Sequence, residues 1–447
     1  MRWSEERVQA AVGLDGPSGP VEYRRVWTDT RSIQPGDLFV ALSGDRFDGH
    51  TFLEAAREAG ARGAVVRRGT PPLPGLTLYP VEDTLAALGG LARARRREIG
   101  GPVVAVTGTN GKTSTKEMLA VALRTRYRVH ATRANLNNLV GVPLTILEAP
   151  DDTEALIVEA GANLPGEMGR YRDIIEPTVT VITNVAAGHL EGFGSLEGVL
   201  AEKLSLARGV PVAVVGGDDP KLAAGARSMA RRVVTAGLAG ADVVPERVET
   251  GPDGRVRLTL DGHRFAVGQL GVHQAKNALL VWAVGRELRL APGEVAAALE
   301  TVTIPGGRGQ LTVHGSLTIL DDCYNANPAS FRAVIEVARS LRSGRRLVFV
   351  AGTMLELGEA SGRLHEEIAA ELVAFEPEVL AGVGRFQDAL EPHRARLGDR
   401  LVVAPDAVAM AALLRPRLDG TELVVLKGSR GMALERIVPE LLAGRTA

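Results

Sequence analysis

The 447-residue sequence predicts an α/β fold class arranged in three domains. Short apolar runs of strand length alternate with longer segments of helical pattern along most of the chain. A glycine-bearing turn follows the apolar run at 103–107, and a proline with paired glycines at 305–307 marks a hinge. We therefore expect a small α/β amino-terminal domain (1–97), a central domain with a mostly parallel sheet (98–305) and a Rossmann-like carboxy-terminal domain (306–447).

Composition and charge describe an ordinary soluble protein, with 45% hydrophobic and 23% charged residues. A net charge of -1 gives no global basic field, so we expect no nucleic-acid partner, and local groups must hold any anionic ligand. The single cysteine, Cys323, excludes an intramolecular disulfide and is expected to pack rather than to act as a nucleophile. The start lacks the apolar core of an export signal and no apolar run reaches membrane-spanning length, so we expect a cytoplasmic monomer without membrane insertion.

Lysine is rare in this chain. Only six of the 52 basic residues are lysine, so arginine is the usual cation. Where lysine is used instead of arginine, it supplies a compact amine that can lose its charge. A guanidinium stays charged and cannot replace it. Lys112, Lys203 and Lys427 are therefore candidates for chemistry.

The amino-terminal domain is predicted to contain a strand at 38–42 and a helix at 51–60. Candidate substrate-binding residues on either side of this strand are Thr30, Arg31, Asp48 and His50. Thr30 and Arg31 could grip a diphosphate, or they could form an ion-paired surface turn, and spacing alone leaves both open. The arginine-rich segment 88–101 lacks interleaved aromatic residues, so we interpret it as a linker surface rather than a nucleic-acid patch.

The run 103–116, VVAVTGTNGKTSTK, predicts a phosphate-binding turn between a strand and a helix. Gly108 and Gly111 allow positive φ, so that backbone N–H groups and the helix amino terminus can face an anion. Lys112 adds charge, and Thr113 offers a hydroxyl to a phosphate-bound Mg²⁺. The candidate nucleotide-binding residues are Thr107, Gly108, Thr109, Asn110, Gly111, Lys112, Thr113 and Ser114. Val106 replaces the first glycine of the general phosphate loop, and a ligand-free turn would explain the glycines but not the Lys-Thr pair.

The compact form T-G-T-N-G-K-T resembles that of the ATP-dependent Mur ligases and their folylpolyglutamate synthetase relatives. Motifs in all three predicted domains extend the resemblance in the family's order: D-T-R, P-G-D-L-F-V-A-L-S-G, D-G-H-x-F, N-x-N-N-x-x-G-x-P-L, E-x-G-A-N-x-P-G-E, G-x-H-x-x-x-N-A and D-x-Y-N-A-N-P. It covers nearly the whole chain. The resemblance implies that the amino-terminal domain receives the UDP end of a substrate.

Candidate metal ligands are Thr113, Glu159 and His189. Glu159 ends the buried-strand run 155–160, where an open parallel sheet presents its functional edge, and a carboxylate there suits Mg²⁺, although it could also face solvent. The resemblance implies that His189 helps to hold a second Mg²⁺ and that Lys203 is carbamylated. The alternative for Lys203 is an ordinary Glu202-Lys203 helix surface.

Further site residues follow from the resemblance. It implies that Asn277 lies along the nucleotide and that Arg308 reaches the terminal phosphate. Asp322 is expected at the ribose, and Tyr324 and Asn325 at the base. The remaining substrate-binding candidates are Asn135, Asn137, Asn138, Lys427, Ser429 and Arg430. The asparagines could instead be turn formers, and the last three could be a charged strand-to-helix turn.

The activity implied by the resemblance is peptide ligation in peptidoglycan synthesis. The motifs resemble the branch that joins D-alanyl-D-alanine to UDP-N-acetylmuramoyl-tripeptide through an acyl phosphate, and the resemblance implies ATP and two Mg²⁺ ions as cofactors. The catalytic candidates are Lys112, Glu159, His189, Lys203 and Arg308. We also expect ATP to close the central and carboxy-terminal domains about the hinge near Arg308.

Other functions are less well matched. The diamino-acid-adding branch carries an Asp-Asn-Pro-Arg signature that is missing here. Folylpolyglutamate synthetases would lack the front domain. A P-loop kinase or motor ATPase would need the longer glycine loop. A non-catalytic nucleotide-binding scaffold would release no phosphate, whatever acceptor was supplied.

Overall fold

The computed structural model describes residues 2–44, 47–188 and 190–443. The chain forms three successive α/β units, each around its own sheet, and most neighbouring strands in these sheets run parallel. We call the units the first, central and third domains. The predicted α/β class and its organisation in three parts are confirmed.

The first domain contains a small parallel sheet covered by helices. Its elements are β1 (Trp3–Ser4), α1 (Glu5–Val12), β2 (Glu22–Tyr23), β3 (Val26–Trp27), β4 (Leu38–Val40), β5 (Ser43–Gly44), β6 (Phe47–Asp48), α2 (Leu53–Glu58), β7 (Gly63–Arg67), β8 (Thr77–Val81) and α3 (Thr84–Arg96). The parallel order is β3-β4-β7-β8, while β1 pairs with β2 and β5 with β6 in antiparallel fashion. The strand predicted at 38–42 is β4, and the helix predicted at 51–60 contains α2 after a short 3₁₀ turn.

Helix α3 fixes the first domain to the central one, so the interpretation of 88–101 as a linker surface is wrong. Arg95 is buried and its Nη2 donates to the carbonyl oxygens of Ala149 and Pro150, each at 2.8 Å. Arg96 is also buried, and it donates to the carbonyl oxygens of Ile175 and Glu176, each at 2.7 Å. The last carbonyl groups of a helix have no N–H partner within that helix. The two guanidiniums therefore supply donors to carbonyls at the carboxyl ends of central-domain helices.

The central domain is a parallel sheet with helices on both faces, followed by a small antiparallel sheet. Its elements are β9 (Val103–Thr107), α4 (Lys112–Leu123), β10 (Val129–Ala131), α5 (Gly141–Leu147), β11 (Ala155–Glu159), α6 (Glu167–Ile175), β12 (Val179–Ile182), α7 (Leu190–Phe193), α8 (Leu196–Ser205), β13 (Val212–Gly216), α9 (Pro220–Met229), β14 (Arg232–Ala236), β15 (Arg247–Thr250), β16 (Arg255–Leu260), β17 (His263–Leu270), α10 (Val272–Glu287) and α11 (Pro292–Thr301). The main sheet has the order β10-β11-β9-β12-β13-β14. Its inner strands are continuous apolar runs because both faces are buried.

The third domain is a parallel sheet with one antiparallel edge strand. Its elements are β18 (Gln310–His314), β19 (Leu317–Asp322), α12 (Pro328–Arg342), β20 (Leu347–Gly352), α13 (Ser361–Phe375), β21 (Val379–Val383), α14 (Phe386–Leu390), α15 (Arg394–Leu397), β22 (Leu401–Ala404), α16 (Ala407–Leu414), β23 (Leu423–Lys427) and α17 (Ile437–Leu442). The order is β18-β19-β23-β20-β21-β22, with β18 antiparallel to β19. Apolar clusters pack on both faces of this sheet.

The carboxyl ends of parallel strands bring polar residues together in two places. In the central domain β9, β11 and β12 are neighbours and end at Thr107, Glu159 and Ile182. In the third domain β19 and β23 are neighbours, with Asp322 in register with Lys427. Ligands of open α/β sheets bind at such edges. Across the described ranges, no helix has both the length and the apolar character needed to cross a membrane.

Candidate active site

The turn between β9 and α4 is a tight loop that requires glycine at two positions. Gly108 has φ +143°, and a Cβ there would lie 2.0 Å from the hydroxyl of Thr183. Gly111 has φ +79°, and a Cβ there would lie 2.6 Å from Oδ1 of Asn277. Any side chain would therefore clash as well as strain the backbone. Gly111 also leaves the first N–H groups of α4 without a side-chain cap, so they remain available to an anion.

Lys112 lies over the loop that precedes it. Its Nζ donates to the carbonyl oxygens of Gly108 at 2.8 Å and Thr109 at 3.0 Å. Burial lowers the pKa of Lys112; nearby Glu159 opposes this shift and Arg308 reinforces it. Thr113 is buried in the first turn of α4. The loop thus gathers an ammonium, a hydroxyl and a helix amino terminus around one small volume.

The segment that follows β12 braces the loop. Thr109 N donates to the carbonyl oxygen of Asn184 at 3.0 Å, and Asn110 N donates to Oδ1 of Asn184 at 3.1 Å. The carbonyl oxygen of Asn110 accepts from the Thr183 hydroxyl at 2.5 Å and from Nδ2 of Asn184 at 3.0 Å. The Thr109 hydroxyl and the backbone of Ala186 complete the brace. These hydrogen bonds therefore brace one side of the loop.

Helix α10 packs against the other side of the loop. Asn277 is buried, and its Nδ2 donates to Oε1 of Gln274 at 2.9 Å. Gln274 in turn donates from Nε2 to the hydroxyl of Ser114 at 3.3 Å. His273 lines a very small cavity of about 10 Å³ between α10 and the third domain, together with Arg308 and other residues.

Glu159 presents a carboxylate oxygen that has no partner in the described part of the chain. Its Oε1 accepts from Nδ2 of Asn137 at 2.8 Å, whereas Oε2 is buried and makes no hydrogen bond. Glu159 itself is 2% exposed. A buried carboxylate oxygen without a donor is costly unless a cation neutralises it, so this position fits a metal ion. No cluster of three or more His, Cys, Asp or Glu side chains able to hold a metal occurs among the described residues.

Lys203 and Glu202 are both buried, which excludes the helix-surface alternative. Lys203 is 1% exposed, and within the described ranges its ammonium has neither a hydrogen bond nor an ion pair. Glu202 caps α6, accepting from Gly166 N at 2.8 Å and Met168 N at 2.7 Å. Burial lowers the pKa of Lys203 to about 7, and the positive charge of Lys112 adds to the shift. A substantial fraction of the Lys203 side chain is therefore a neutral amine near neutral pH.

The asparagine cluster after β10 has two kinds of role. Asn138 Oδ1 accepts from Val140 N at 3.1 Å and Gly141 N at 2.8 Å, so it is a turn former at the start of α5. The carbonyl oxygen of Asn135 accepts from Asn137 N at 2.8 Å within the same turn. Only Asn137 reaches the metal position, through Glu159.

Asp322 and Lys427 form an ion pair at the sheet edge of the third domain, with Nζ 2.7 Å from Oδ2. Lys427 also donates to the carbonyl oxygen of Asn325 at 2.8 Å, and Asn325 Oδ1 accepts from Ala326 N. Buried Ser429 accepts from Leu355 N at 3.0 Å. Lys427 therefore joins the end of β23 to the end of β19 and to the segment that follows β19.

Tyr324 carries two arginines on its ring. The guanidinium carbon of Arg308 lies 3.5 Å from the ring centroid, and that of Arg430 lies 5.1 Å from it. Arg308 also donates to the carbonyl oxygen of Pro305 at 2.9 Å. Aromatic faces attract guanidiniums, so the ring of Tyr324 holds both cations close to each other.

The third domain touches the central domain at the phosphate loop. Asn327 Nδ2 donates to Oδ1 of Asn110 at 2.6 Å, and Asn110 Nδ2 donates to Oδ1 of Asn327 at 3.4 Å. A second contact places Gly358 against the backbone of Glu191, where an added Cβ would lie 3.4 Å from Cα. The domains therefore meet directly over the loop.

The first domain holds a separate polar cluster. His50 Nδ1 lies 2.6 Å from Asp48 Oδ1, and His50 Nε2 accepts from Arg67 N at 2.8 Å. Hydrogen bonds from the backbone N–H and side chain of His50 keep the pKa of Asp48 well below its usual value. A cleft of about 510 Å³ adjoins His50 and Arg67. Thr30 begins a 3₁₀ turn, and exposed Arg31 pairs with Asp29 at 2.7 Å.

Comparison with known proteins covers most of the chain. Three family models match: "Mur ligase family, catalytic domain" at 22–96, "Mur ligase middle domain" at 106–285 and "Mur ligase, glutamate ligase domain" at 307–430. The UDP-N-acetylmuramoyl-tripeptide–D-alanyl-D-alanine ligase of Bacillus subtilis (strain 168) is 34% identical over 429 residues, which cover 93% of each chain. The protein of the same name from Escherichia coli (strain K12) is 32% identical, again over 93% of each chain.

The chain belongs to the Mur ligase family.

Solved structures agree with this assignment of the Mur ligase. Crystal structure I of MurF from Acinetobacter baumannii matches with a TM-score of 0.90 and 29% identity, covering 99% of both chains. The MurF ligase of Thermotoga maritima in complex with ADP matches with a TM-score of 0.84 and 28% identity, covering 94% of this chain and 97% of that one. The sequence-based assignment to the family is confirmed.

One predicted site residue of this Mur ligase, His189, lies outside the described residues. The structure brings together near the loop Lys112, Thr113, Glu159, Asn137, Asn277, Arg308 and Tyr324. Thr30, Arg31, Asp48 and His50 belong to the first domain, away from that group.

Three residues near the loop of this Mur ligase were missed by sequence reasoning: Asn184, Gln274 and Asn327. Asn184 stands two residues after the end of β12, and a polar residue at the carboxyl end of a parallel strand is a signal for a ligand-binding edge. Gln274 lies one residue beyond His273, within the motif G-x-H-x-x-x-N-A, in which only Asn277 is predicted to lie along the nucleotide. Asn327 precedes a proline, which is a helix-start signal, but nothing local indicates its partner in another domain.

Proposed function

We propose that this Mur ligase joins the amine of D-alanyl-D-alanine to the terminal carboxylate of UDP-N-acetylmuramoyl-tripeptide, converting ATP to ADP and phosphate, in peptidoglycan synthesis. The observation that carries the proposal is the full-length likeness to ligases named for that reaction. A relative crystallised with ADP supports ATP as the nucleotide. The diamino-acid-adding alternative is not favoured by these relatives.

In the first step, the tripeptide carboxylate attacks the γ-phosphorus of ATP, ADP leaves, and an acyl phosphate forms. The chain contributes positioning and charge. The N–H groups at the start of α4 face the phosphates, and Lys112 exchanges its loop carbonyls for phosphate oxygens. Arg308, held on the ring of Tyr324, is the second cation for the transferred group.

The residues around Glu159 fit a divalent cation. Its orphan oxygen Oε2 and the buried hydroxyl of Thr113 would hold Mg²⁺, and His189 is the proposed ligand of a second ion. When bound, Mg²⁺ would neutralise phosphate charge as it accumulates. Asn137 fixes the other carboxylate oxygen, so that Oε2 keeps its direction.

Lys203 is proposed to carry a carbamate. The amine adds to CO₂, forming an N–C bond and releasing a proton, which yields an anionic carbamate. Its burial without a hydrogen bond or ion pair in the described ranges and its pKa of about 7 support this, because only the neutral amine reacts. The anion would then support the metal held by neighbouring ligands.

In the second step, the amine of D-alanyl-D-alanine attacks the acyl carbon, an amide bond forms, and phosphate leaves together with a proton from the amine. Arg430 is our candidate for the dipeptide carboxylate, because Tyr324 orients it and Lys427 is already paired with Asp322. Ser429 fixes the loop at Leu355 beside it.

The other domain roles complete the proposal. Residues 1–97 would hold the UDP end of the substrate, 98–305 would bind ATP and 306–447 would cover it. The Asp48–His50–Arg67 cluster and its cleft support a substrate role for the first domain. A cytoplasmic location and a monomeric state stay predictions.

The experiment that tests this function is acceptor-dependent phosphate release. Purified protein with ATP, Mg²⁺ and UDP-N-acetylmuramoyl-tripeptide is expected to release phosphate only when D-alanyl-D-alanine is added. UDP-N-acetylmuramoyl-dipeptide with a diamino acid serves as the control pair. Release with the control pair alone would favour the diamino-acid branch, and release that ignores every acceptor would indicate an ATPase of another class.

A further inference from the structure

The amides of Asn110 and Asn327 join the tip of the phosphate loop to the third domain. The two hydrogen bonds run in opposite directions, with Asn327 Nδ2 2.6 Å from Asn110 Oδ1 and Asn110 Nδ2 3.4 Å from Asn327 Oδ1. Asn327 is 6% exposed. We call this pair the asparagine bridge.

On the third-domain side, Asn327 is held rigidly because it begins α12. Its Oδ1 accepts from Ser330 N at 2.9 Å, and its own N–H donates to the Ser330 hydroxyl at 3.0 Å. This capping box fixes the side-chain amide, since turning it would expose the first turn of the helix. A rigid-body movement of α12 therefore moves the Asn327 amide.

On the central-domain side, Asn110 is held by the brace described above. Its N–H donates to Asn184, and its carbonyl oxygen accepts from Thr183 and Asn184. The backbone N–H and the side chain of Asn110 are thus both engaged by the protein. That Asn110 binds nucleotide stays a prediction, and its side chain also contacts Asn327 of the third domain.

The residues around the asparagine bridge are tightly packed. A Cβ on Gly188 would lie 2.8 Å from the methyl carbon of Thr109 and 3.8 Å from Nδ2 of Asn327. The loop, the segment after β12 and the start of α12 therefore meet in one packed junction. A change in the loop cannot be absorbed there without moving one of these elements.

We infer that Asn327 is a positioning residue which couples nucleotide binding at the loop to the orientation of the third domain through Asn110. The bridge is made only when α12 lies over the loop, so it favours the arrangement that brings Arg308 and Arg430 to the cleft. Whatever stabilises the loop conformation then stabilises that arrangement, and the reverse holds by thermodynamic linkage. The inference rests on the proposed function only for its activity measurement.

The test compares Asn327→Ser, Asn110→Ala and the double variant with the wild type. Serine keeps the ability to cap a helix but is too short to reach Asn110. Ser330→Ala is the matched control, because it weakens the cap and leaves the bridge. Circular dichroism and melting temperature check that each variant is folded.

Three measurements are made on each protein. We expect the single bridge variants to bind ADP with Mg²⁺ roughly threefold to tenfold more weakly, and the double variant no more weakly than either. Their radius of gyration without nucleotide should increase, and their kcat should fall about tenfold. Ser330→Ala should lower the melting temperature while ADP affinity stays at the wild-type value.

Independent, additive effects of the two single variants, or ADP affinity and scattering unchanged in both, would overturn the inference. ADP binding and scattering need no acceptor, so they test the bridge even if wild-type protein shows no acceptor-dependent phosphate release. That last result would reject the proposed function alone.

Discussion

The guanidinium carbon of Arg308 lies 3.5 Å from the ring centroid of Tyr324. Arg308 belongs to the glycine-rich connection between the central and third domains, whereas Tyr324 follows β19. The stacking therefore ties the direction of a connecting residue to the sheet of the third domain. It explains how a flexible connection can deliver a cation to a defined place.

Tyr324→Leu is expected to lower kcat about tenfold. A cation–π contact contributes about 0.5–2 kcal/mol, and ~1.4 kcal/mol corresponds to tenfold in rate. Tyr324→Phe keeps the ring and should remain within about twofold of the wild type. Steady-state phosphate release with both substrates measures this. Equal losses in the two variants would mean that the hydroxyl, rather than the ring, is used.

Glu159→Gln is expected to raise the Mg²⁺ concentration needed for half-maximal rate by about tenfold. The amide keeps an oxygen for Asn137 but removes the charge that a cation needs. Because the unpartnered buried carboxylate oxygen is gone, the melting temperature without Mg²⁺ should not fall. Glu154→Gln, at the opposite end of the same strand, is the control. An unchanged Mg²⁺ requirement would remove Glu159 from the metal site.

The stability of the protein should depend on pH through Lys203. Its pKa of about 7 in the folded protein is below the ~10.4 of an unfolded chain, so the unfolded state binds more protons between these values. Stability should rise with pH in this window, by at most about 1.4 kcal/mol per pH unit. In CO₂-free buffer, the melting temperature of wild type relative to Lys203→Met should climb from pH 7 to 9. Parallel curves would contradict the assignment.

Lys203→Arg should abolish turnover, and Lys203→Ala should be partly rescued by a small carboxylic acid such as formate. A guanidinium cannot take up CO₂, whereas a free carboxylate can occupy the space left by the truncated side chain. Carbon-13 NMR after labelling with bicarbonate should detect the carbamate on wild type and not on Lys203→Met. Full activity of Lys203→Arg would exclude a carbamate role.

Arg96→Ala should lower the melting temperature by about 5 °C, because it leaves buried carbonyls of the central domain without donors. Arg93→Ala on the exposed face of the same helix is the matched control and should shift it by about 1 °C. Scanning calorimetry measures both. Similar shifts in the two variants would show that burial of Arg96 does not join the domains.

Local features of the chain could be predicted from sequence because their causes are local. Gly108 and Gly111 predict a turn with positive φ, and both residues have positive φ in the structure. The apolar run at 155–160 forms β11, since a strand buried on both faces needs little beyond continuous apolar residues. Glu159 at the end of one such run was predicted to face a ligand edge, and its orphan oxygen lies there.

Long-range partners could not be predicted in the same way. The arginines of α3 were interpreted as a solvated surface, because charge alone does not reveal that carbonyls of two other helices lie opposite. Asn327 had a visible local role as a helix cap, which concealed its contact with Asn110. Such pairings depend on how domains pack, and a single sequence carries little signal for that.

The buried arginines of α3 also fix the position of the first domain relative to the central domain. Arg95 and Arg96 anchor the first domain, which contains the cluster around His50, on the central domain, which contains the phosphate loop. In the proposed function the first domain holds the nucleotide end of the substrate, so we expect a peptide one residue too short to fail to bring its carboxylate to the γ-phosphate. We therefore expect the anchoring of the first domain by α3 to make the enzyme selective for peptide length.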